Sequence, residues 1–340
     1  MFHYDFKENM IELYMKRNIG GIMEKIKLGN TGLEISVAGF GVLTVGNTQL
    51  NLPVDKGADV LSYAIEKGIN FLDTAQAYET YPYIKKALQE SNKDIVICSK
   101  SLSGSFEGMK SAVEEARTEM DRDVIDIFLL HEVRHNGDLD KRSGAWEYLN
   151  QAKAKGIVKA IGISTHHVDV AEEITDCKEC DVLFPLINFK NLGIRNGGLT
   201  GTKEAMSSAI KKAADAGIGV FTMKAFGGGN LTGHYMEALD YVYGLDGVSS
   251  AMIGFGNKKE VDDIIYYLEG RLEKDFIPEI KHKKMNIAQG DCEACYACIE
   301  KCPNHAIFIN EKGLAEVDHD KCLTCGYCAP VCPVRAIIMF

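Results

Sequence analysis

Eight cysteines near the C-terminus have the residue type and the spacing of ligands for metal centres. They form two runs that each read C-x2-C-x2-C-x3-C-P. The first run contains Cys292, Cys295, Cys298 and Cys302, and the second contains Cys322, Cys325, Cys328 and Cys332. Thiolates two residues apart can surround one face of an iron–sulfur cube, and the proline after the fourth cysteine turns the chain away. The spacing therefore predicts two 4Fe-4S clusters.

The two runs resemble those of the bacterial two-cluster ferredoxins, in which the fourth cysteine of a run binds the other cluster. The resemblance implies that one cluster is bound by Cys292, Cys295, Cys298 and Cys332, and the other by Cys322, Cys325, Cys328 and Cys302. Two structural zinc sites are the alternative, because paired C-x2-C units also suit zinc. The repeated Cys-Pro ending favours the clusters. We expect a small α+β ferredoxin-like domain over residues 289–340.

The composition excludes several classes of partner. The chain has 340 residues, 46% of them hydrophobic, and a formal net charge of −10. This charge argues against nucleic acid or an anionic membrane surface as a partner, and no apolar run is long enough to cross a bilayer. Eleven cysteines without a secretion signal indicate the reducing cytoplasm. A redox partner protein is compatible with the acidic balance.

Short apolar runs alternate with helical patterns from Val37 to Leu268. The runs that predict strands are Ala38–Val45, Asn70–Asp73, Ile95–Ser99, Ile125–His131, Val158–Ser164, Val182–Asn188, Gly219–Met223 and Ser249–Gly254. The segments with a period near 3.6 are Ala58–Glu66, Tyr83–Glu90, Phe106–Met120, Ala145–Ala154, Val168–Thr175, Lys203–Ala216 and Lys258–Leu268. Eight strands alternating with helices favour a (β/α)8 TIM barrel in the α/β class. An open doubly wound sheet is the alternative, but no G-x-G-x-x-G follows the first strand.

The regular pattern sets the predicted domain limits. We place a barrel domain at residues 23–268, opening with a short hairpin, and a linker at 269–288. Residues 1–22 fit no pattern and are treated as an N-terminal extension. Gly20-Gly21 before Met23 also suggest that Met23 is the natural start. The linker is long enough to place the cluster domain beside the mouth of the barrel or elsewhere on it.

Four ionisable side chains follow the predicted strands at one end of the barrel. Asp73, Lys100 and His131 end the second, third and fourth strands, and Tyr78 lies in the loop after Asp73. A lysine close to a phenol stabilises the phenolate and lowers its pKa, an aspartate can hold the lysine, and a histidine can orient a carbonyl oxygen. Each residue alone also has a structural interpretation. Together at the catalytic end of a barrel they predict acid–base chemistry on a carbonyl group.

Over residues 23–268 the chain resembles the aldo-keto reductases. The resemblance is carried by D-x-A-x-x-Y at Asp73–Tyr78, by Lys100 and by the Leu-Leu-His that ends at His131. It implies hydride transfer between NADPH or NADH and a small-molecule carbonyl or alcohol substrate. Tyr78 would be the general acid and base, Lys100 and Asp73 would tune it, and His131 would orient the oxygen.

The same resemblance implies a set of residues that contact the nicotinamide cofactor. They are Ser164, Thr165, Asn188, Met223, Lys224, Gly227, Gly228, Gly229, Gly254 and Asn257. Ser164 would hold the nicotinamide amide, and Thr165 replaces the usual asparagine. The glycines Gly227–Gly229 would let the backbone approach the pyrophosphate closely.

The chain also departs from the family pattern. Phe184 stands where a glutamine is usual, and Met223-Lys224 stand where an aromatic residue often stacks on the nicotinamide. Glu260 lies near a usual arginine position, although Lys258-Lys259 could bind a 2′-phosphate instead. The choice between NADPH and NADH therefore stays open.

A few side chains outside these sets could do further chemistry. Cys177 and Cys180 form a C-x2-C pair that could be a redox dithiol, half of a zinc site or two free thiols. Cys98 is expected to face the barrel wall. His166-His167 could line the mouth or simply begin a polar loop.

Three functions fit the sequence. The first is a carbonyl reductase coupled to electron transfer through the clusters, although no flavin motif is visible to convert hydride into single electrons. The second is an electron-transfer protein whose barrel binds nucleotide or flavin without carbonyl reduction. The third is a carbonyl reductase with purely structural clusters.

Overall fold

A computed structural model describes residues 23–89, 91–279, 284–323, 326–334 and 336–339 of the chain. The predicted extension 1–22 lies outside the described residues. The structure therefore does not test whether Met23 is the natural start. Cys325 also falls in a gap between the described ranges.

Eight parallel strands form a closed barrel. They are β1 (Ala38–Gly41), β2 (Phe71–Asp73), β3 (Val96–Ser101), β4 (Ile125–Leu130), β5 (Val158–Thr165), β6 (Val182–Pro185), β7 (Gly219–Thr222) and β8 (Ser250–Ile253). Each strand pairs with the next, and β8 pairs with β1 in the register Met252 to Gly39. The predicted barrel is confirmed, and the open sheet is excluded.

Helices surround the barrel. They are α1 (Val54–Glu66), α2 (Tyr81–Gln89), α3 (Phe106–Met120), α4 (Asp138–Lys141), α5 (Ser143–Ala154), α6 (Val168–Glu173), α7 (Lys203–Asp215), α8 (Tyr235–Tyr243) and α9 (Lys258–Leu268). Short 3-10 helices cover Val42–Val45, Gln76–Tyr78, Ile174–Asp176 and Thr232–His234. A two-residue hairpin, Arg195–Asn196 with Leu199–Thr200, follows β6.

Several elements differ from the prediction; helix α4 and the hairpin after β6, for example, were not predicted. The first strand ends at Gly41, and its predicted continuation is the 3-10 helix Val42–Val45. Both Val42 and Val45 are buried, so the apolar run reflects burial and not extended backbone. Helix α8 was not predicted, although its buried residues Tyr235, Ala238, Leu239, Val242 and Tyr243 have helical spacing.

An N-terminal hairpin closes the barrel at one end. Its strands, Lys25–Lys27 and Glu34–Ser36, pair antiparallel as predicted. Leu28, Leu33 and Ile35 pack against the inward-facing residues of the barrel strands. The amide of Asn30 donates to the carbonyl of Gly217, just before the start of β7. The hairpin therefore seals the N-terminal end of the strands, and the opposite end stays open as the mouth.

The C-terminal residues form a small α+β module. Its strands are β9 (Met285–Ile287), β10 (Ile307–Ile309), β11 (Ala315–Val317) and β12 (Ile337–Met339), and its helix is α10 (Ala297–Lys301). Strand β9 pairs antiparallel with β12, and β10 pairs antiparallel with β11. Strand β9 lies within the segment predicted as linker, because it completes the sheet of the module.

The module docks on the mouth of the barrel. The amide of Met339 donates to the carbonyl of Gly228 at 2.7 Å. Arg195 donates to the carbonyl of Pro333 at 3.1 Å, and Asn286 donates to the carbonyl of Thr48 at 3.3 Å. The linker length allowed the module to lie beside the mouth of the barrel or elsewhere on it. In the structure the module lies at the mouth. In the part of the chain that the structure describes, no helix is long and apolar enough to cross a membrane.

Candidate active site and cluster module

The four predicted acid–base residues meet at the mouth of the barrel. Asp73 is the last residue of β2, Lys100 lies in β3, His131 follows β4, and Tyr78 ends a 3-10 helix. The ammonium of Lys100 donates to the Asp73 carboxylate at 2.7 Å and to the carbonyl of Thr74 at 2.7 Å. The hydroxyl of Tyr78 lies 3.3 Å from Nε2 of His131. The structure thus brings together all four residues.

Lys100 is a buried cation that lies close to the phenol of Tyr78. It lies 4.8 Å from the centre of the Tyr78 ring and is 1% exposed. Burial alone would lower the pKa of Lys100, but the Asp73 carboxylate and the Tyr78 phenol outweigh burial and raise that pKa. Lys100 therefore keeps its positive charge beneath the phenol.

Burial dominates the acidity of Tyr78. It raises the pKa of the Tyr78 hydroxyl to about 12, although Lys100 acts in the opposite direction. The carboxylates of Asp73, Glu132 and Asp291 also raise this pKa. Lys100 lowers this pKa, as expected, but burial outweighs it, because removing the phenolate from water costs more than the ammonium returns. Tyr78 is therefore protonated at neutral pH.

His131 is neutral. Burial lowers the pKa of its imidazole well below the usual range, and Lys100 and Arg142 lower it further. A neutral imidazole can exchange a hydrogen bond with the Tyr78 hydroxyl and with an oxygen that the hydroxyl protonates.

Arg142 is a positioning residue that the sequence analysis missed. Its guanidinium donates to the carbonyl of His131 at 2.9 Å and to the carbonyl of Ser101 at 3.0 Å. It therefore ties together the ends of β3 and β4, which carry Lys100 and His131. No sequence motif marks it, because its partners are backbone carbonyls far along the chain.

A cavity of about 850 Å³ lies above these residues. Its barrel side includes Tyr78, Lys100 and His131. Its other wall belongs to the module and includes Asn286, Ile287, Ala288, Gln289, Gly290, Asp291, Asn310, Glu311, Lys312, Glu316 and Ile338. A second cavity of about 260 Å³ shares Tyr78, Met223 and Asp291 with the first and extends past Gly254. The site is therefore a cleft between the two domains.

Cysteines from both runs lie close together in the module, and which cluster each thiol binds stays a prediction. Burial raises the pKa of the Cys298 thiol to about 11, and the neighbouring thiols of Cys332, Cys295 and Cys292 raise it further. These four residues are the first predicted ligand set. Seven of the eight predicted ligands lie within the described ranges, and Cys325 does not.

The second set is similar. Burial raises the pKa of the Cys328 thiol to about 11, with contributions from Cys322, Cys298 and Cys302. The fourth cysteine of each run accepts a hydrogen bond from a backbone amide: Ala306 donates to the sulfur of Cys302 at 3.2 Å and Ala336 to that of Cys332 at 3.3 Å. Among the residues described, no three His, Cys, Asp or Glu side chains are placed to share one metal ion. The donor set fits two clusters with thiolate ligands.

Residues 38–240 match the family model described as the aldo/keto reductase family. The chain belongs to this family. Residues 275–336 match the model of a 4Fe-4S dicluster domain. The combined chain is thus an aldo-keto reductase barrel followed by a 4Fe-4S ferredoxin-type domain, and the zinc interpretation is not supported.

Curated relatives match parts of this chain. An uncharacterized oxidoreductase of Bacillus subtilis, YqkF, is 30% identical over 166 residues, which are 44% of this chain and 52% of YqkF. The L-galactose dehydrogenase of Arabidopsis thaliana is 26% identical over 226 residues, which are 62% of this chain and 68% of that protein. The chain therefore spans about half the length of the first relative.

A solved structure shows the same fold. The holo form of an aldo-keto reductase from Bacillus halodurans superposes with a TM-score of 0.57 at 21% identity, covering 76% of this chain and 98% of that one. At this identity the likeness shows the fold alone.

The side chains that the aldo-keto reductase resemblance assigns to the cofactor have partners within the chain. The hydroxyl of Ser164 accepts from the amide of Glu132 at 2.9 Å. The hydroxyl of Thr165 donates to the carbonyl of Val133 at 2.7 Å. Asn188 bonds both backbone groups of Leu192, and Asn257 accepts from the amide of Glu260 as a helix cap. Ser164 and Thr165 line the large cavity, whereas Asn188 and Asn257 line neither.

The departures from the family pattern lie where the sequence placed them. Phe184, in β6, stacks on Phe221 with ring centres 4.2 Å apart, and its ring lies 5.3 Å from the Lys100 ammonium. Met223 follows β7 directly and lines both cavities. The apolar surface beside Tyr78 is thus built without the usual glutamine.

The structure also shows the surroundings of Cys98, Cys180 and His166. Cys98 is buried among the inward-facing barrel residues, as expected. The thiol of Cys180 is buried and donates to the carbonyl of Val182 at 3.3 Å, and burial raises its pKa. His166 lines the large cavity and belongs to the mouth.

Proposed function

We propose that the chain is an oxidoreductase that interconverts a carbonyl and an alcohol in the cleft between barrel and module. The observation that carries this proposal is the Tyr78 hydroxyl 3.3 Å from His131, above the buried Lys100–Asp73 ion pair and open to the large cavity. A small-molecule carbonyl compound is the proposed substrate class.

The chain's own residues supply the proton. In the reductive direction Tyr78 donates its proton to the carbonyl oxygen, because its pKa of about 12 keeps it protonated at neutral pH. Lys100 stabilises the phenolate that remains, and Asp73 holds the ammonium in place. The neutral His131 orients the oxygen by a hydrogen bond.

The module is proposed to carry electrons to or from this site. Two 4Fe-4S clusters would supply one electron each when bound. Conversion of a carbonyl into an alcohol takes two electrons and two protons, of which Tyr78 gives one to the oxygen and solvent gives the other to the carbon. Asp291 precedes Cys292, a proposed ligand of the first cluster, and it lines both cavities. A cluster with a purely structural role would not need to lie at the mouth of the barrel.

NADPH or NADH is the hydride source that the family resemblance implies. The residues around the proposed nicotinamide end, Ser164 and Met223, line the connected cavities. The residues on the diphosphate side do not fit a dinucleotide in the docked arrangement, because strand β12 lies along the glycine loop. We therefore assign no step to the nucleotide. A redox partner protein in the reducing cytoplasm is the proposed external source of electrons.

The test is an anaerobic turnover experiment. The reconstituted protein is reduced with dithionite, freed of excess reductant and mixed with aldehydes, ketones and ketoses while the visible absorbance of the clusters is followed. Cluster reoxidation with alcohol formation supports the proposal. Loss of both in Tyr78→Phe, but not in Tyr63→Phe, assigns the proton to Tyr78, since Tyr63 bonds Asp262 outside the cleft. Reoxidation by NAD⁺ or NADP⁺ with every carbonyl inert would contradict it.

A further inference from the structure

The glycine loop that resembles a pyrophosphate site is already occupied by the chain itself. The carbonyl of Gly228 accepts from the amide of Met339 at 2.7 Å. The side chain of Asn230 donates to the carbonyl of Ile337 at 2.8 Å. Strand β12 therefore lies along the loop Gly227–Asn230.

The same glycines are required by this docking. A Cβ atom on Gly229 would lie 1.9 Å from the carbonyl oxygen of Met339, and one on Gly228 would lie 2.8 Å from Ile338. Both glycines have left-handed backbone, with φ of 68° for Gly228 and 87° for Gly229. Close approach of a backbone is one reason for glycine, and here the backbone that approaches is that of β12.

The second cavity offers little uncompensated positive charge to a diphosphate. Its lining includes the carboxylates of Asp73, Glu260, Asp263 and Asp291, together with the ammonium of Lys224. Lys100 balances Asp73, and Lys259 balances Asp263. Lys224 is 3.9 Å from Asp291, so part of its charge is balanced. Bringing further negative charge into this lining costs free energy.

The two lysines that could bind a 2′-phosphate have other partners. Lys258 is paired with Asp59 at 2.8 Å, and Lys259 is paired with Asp263 at 3.1 Å. Both pairs lie on helices of the barrel wall, so neither depends on docking of the module.

We propose that strand β12 and a nicotinamide dinucleotide compete for the loop Gly227–Asn230, so that the docked protein does not bind NADH or NADPH. Nucleotide binding then requires the module to release this loop. The apparent affinity for nucleotide is the intrinsic affinity multiplied by the fraction of molecules in which β12 is released. The inference goes beyond the proposed carbonyl chemistry, because it concerns binding and is tested without turnover.

The test uses the reconstituted full chain and nicotinamide fluorescence during anaerobic titration with NADH and NADPH. The informative variant is Met339→Pro, which removes the amide that bonds Gly228 and leaves the loop unchanged. Met339→Ala is the matched control, since it keeps the amide. We expect no saturation in the wild type, and binding that is about tenfold or more tighter in Met339→Pro.

A second variant displaces the strand from the other side. Gly229→Ala would clash with Met339, and Gly137→Ala is its control, because Gly137 has a similar φ of 78° with open space around it. Hydrogen exchange at β12 reports release of the strand in each variant. Saturable binding to the wild type with β12 still protected from exchange would overturn the proposal. Absence of tighter binding in Met339→Pro with β12 released would overturn it as well. Gly229→Ala is read only by hydrogen exchange, because its added methyl group also narrows the loop that a nucleotide would occupy.

Discussion

The carboxylate of Asp291 lies 3.9 Å from the ammonium of Lys224, at the point where the cluster module meets the barrel mouth. Asp291 also lies 4.0 Å from the guanidinium of Arg134. These contacts join the residue beside Cys292 to the loops after β4 and β7. The module is thereby part of the active-site wall, and changes in the module are expected to reach the chemistry.

Replacement of Tyr78 should abolish chemistry without affecting the clusters. Tyr78→Phe removes the proton donor and is expected to lower turnover by about 10² to 10⁴-fold, the usual contribution of a general acid. The measurement is turnover together with iron content and the visible spectrum. Equal turnover in Tyr78→Phe and wild type would remove Tyr78 from the mechanism.

Loss of the buried cation should destabilise the barrel. Lys100→Met leaves the Asp73 carboxylate buried without its partner, and we expect a loss of about 3–5 kcal/mol in the free energy of unfolding. The control Lys258→Met breaks an exposed pair with Asp59, for which a loss below about 1 kcal/mol is expected. Denaturant unfolding followed by tryptophan fluorescence measures both, and similar losses would contradict the assigned burial effect.

Stability should fall in mild acid because of His131. Burial lowers the pKa of His131 in the folded state, so the unfolded chain binds the proton more readily. The free energy of unfolding is therefore expected to decrease as the pH falls below about 6.5, by up to about 1.4 kcal/mol per pH unit for this proton.

The corresponding measurement compares unfolding between neutral pH and mild acid in His131→Asn and wild type. The variant should show a smaller slope. His234→Asn is the control, since its side chain is 55% exposed. An unchanged slope in His131→Asn would show that other groups cause the acid sensitivity.

The crossed ligation can be tested by single serine replacements. Cys332→Ser should alter the same cluster as Cys298→Ser, because the ferredoxin resemblance assigns both thiols to one cluster, although they lie in different runs. Electron paramagnetic resonance of the reduced protein and iron analysis measure the effect. Cys180→Ser is the control, since Cys180 is buried outside the module. Identical spectra for Cys332→Ser and Cys328→Ser would instead assign each run to one cluster.

The sequence was sufficient to predict residues with local spacing or with a fixed place on a barrel strand. The two cysteine runs and the barrel order are examples, and so is the meeting of Asp73, Lys100 and His131 at three successive strand ends. Strand lengths were less certain, because an apolar run such as Val42–Val45 indicates burial whether its backbone is extended or helical.

Contacts between the domains could not be predicted in this way. Gly228 and Gly229 have the same sequence pattern whether a phosphate or a strand approaches them, and only the position of Met339 distinguishes the two. Arg142 and Asp291 also escaped notice, because single charged residues acquire a role only through partners distant in sequence. The pKa of Tyr78 depends on burial, which the sequence does not quantify.

The hairpin residues Leu28, Leu33 and Ile35 have a kinetic consequence. They close the N-terminal end of the barrel. A substrate molecule and its product must therefore both pass through the mouth, which the module covers. Substrate binding and product release then use the same opening. If the module became less mobile over the mouth, substrate binding and product release would both slow. Slow product release would then limit the turnover rate even if the chemistry at Tyr78 were fast.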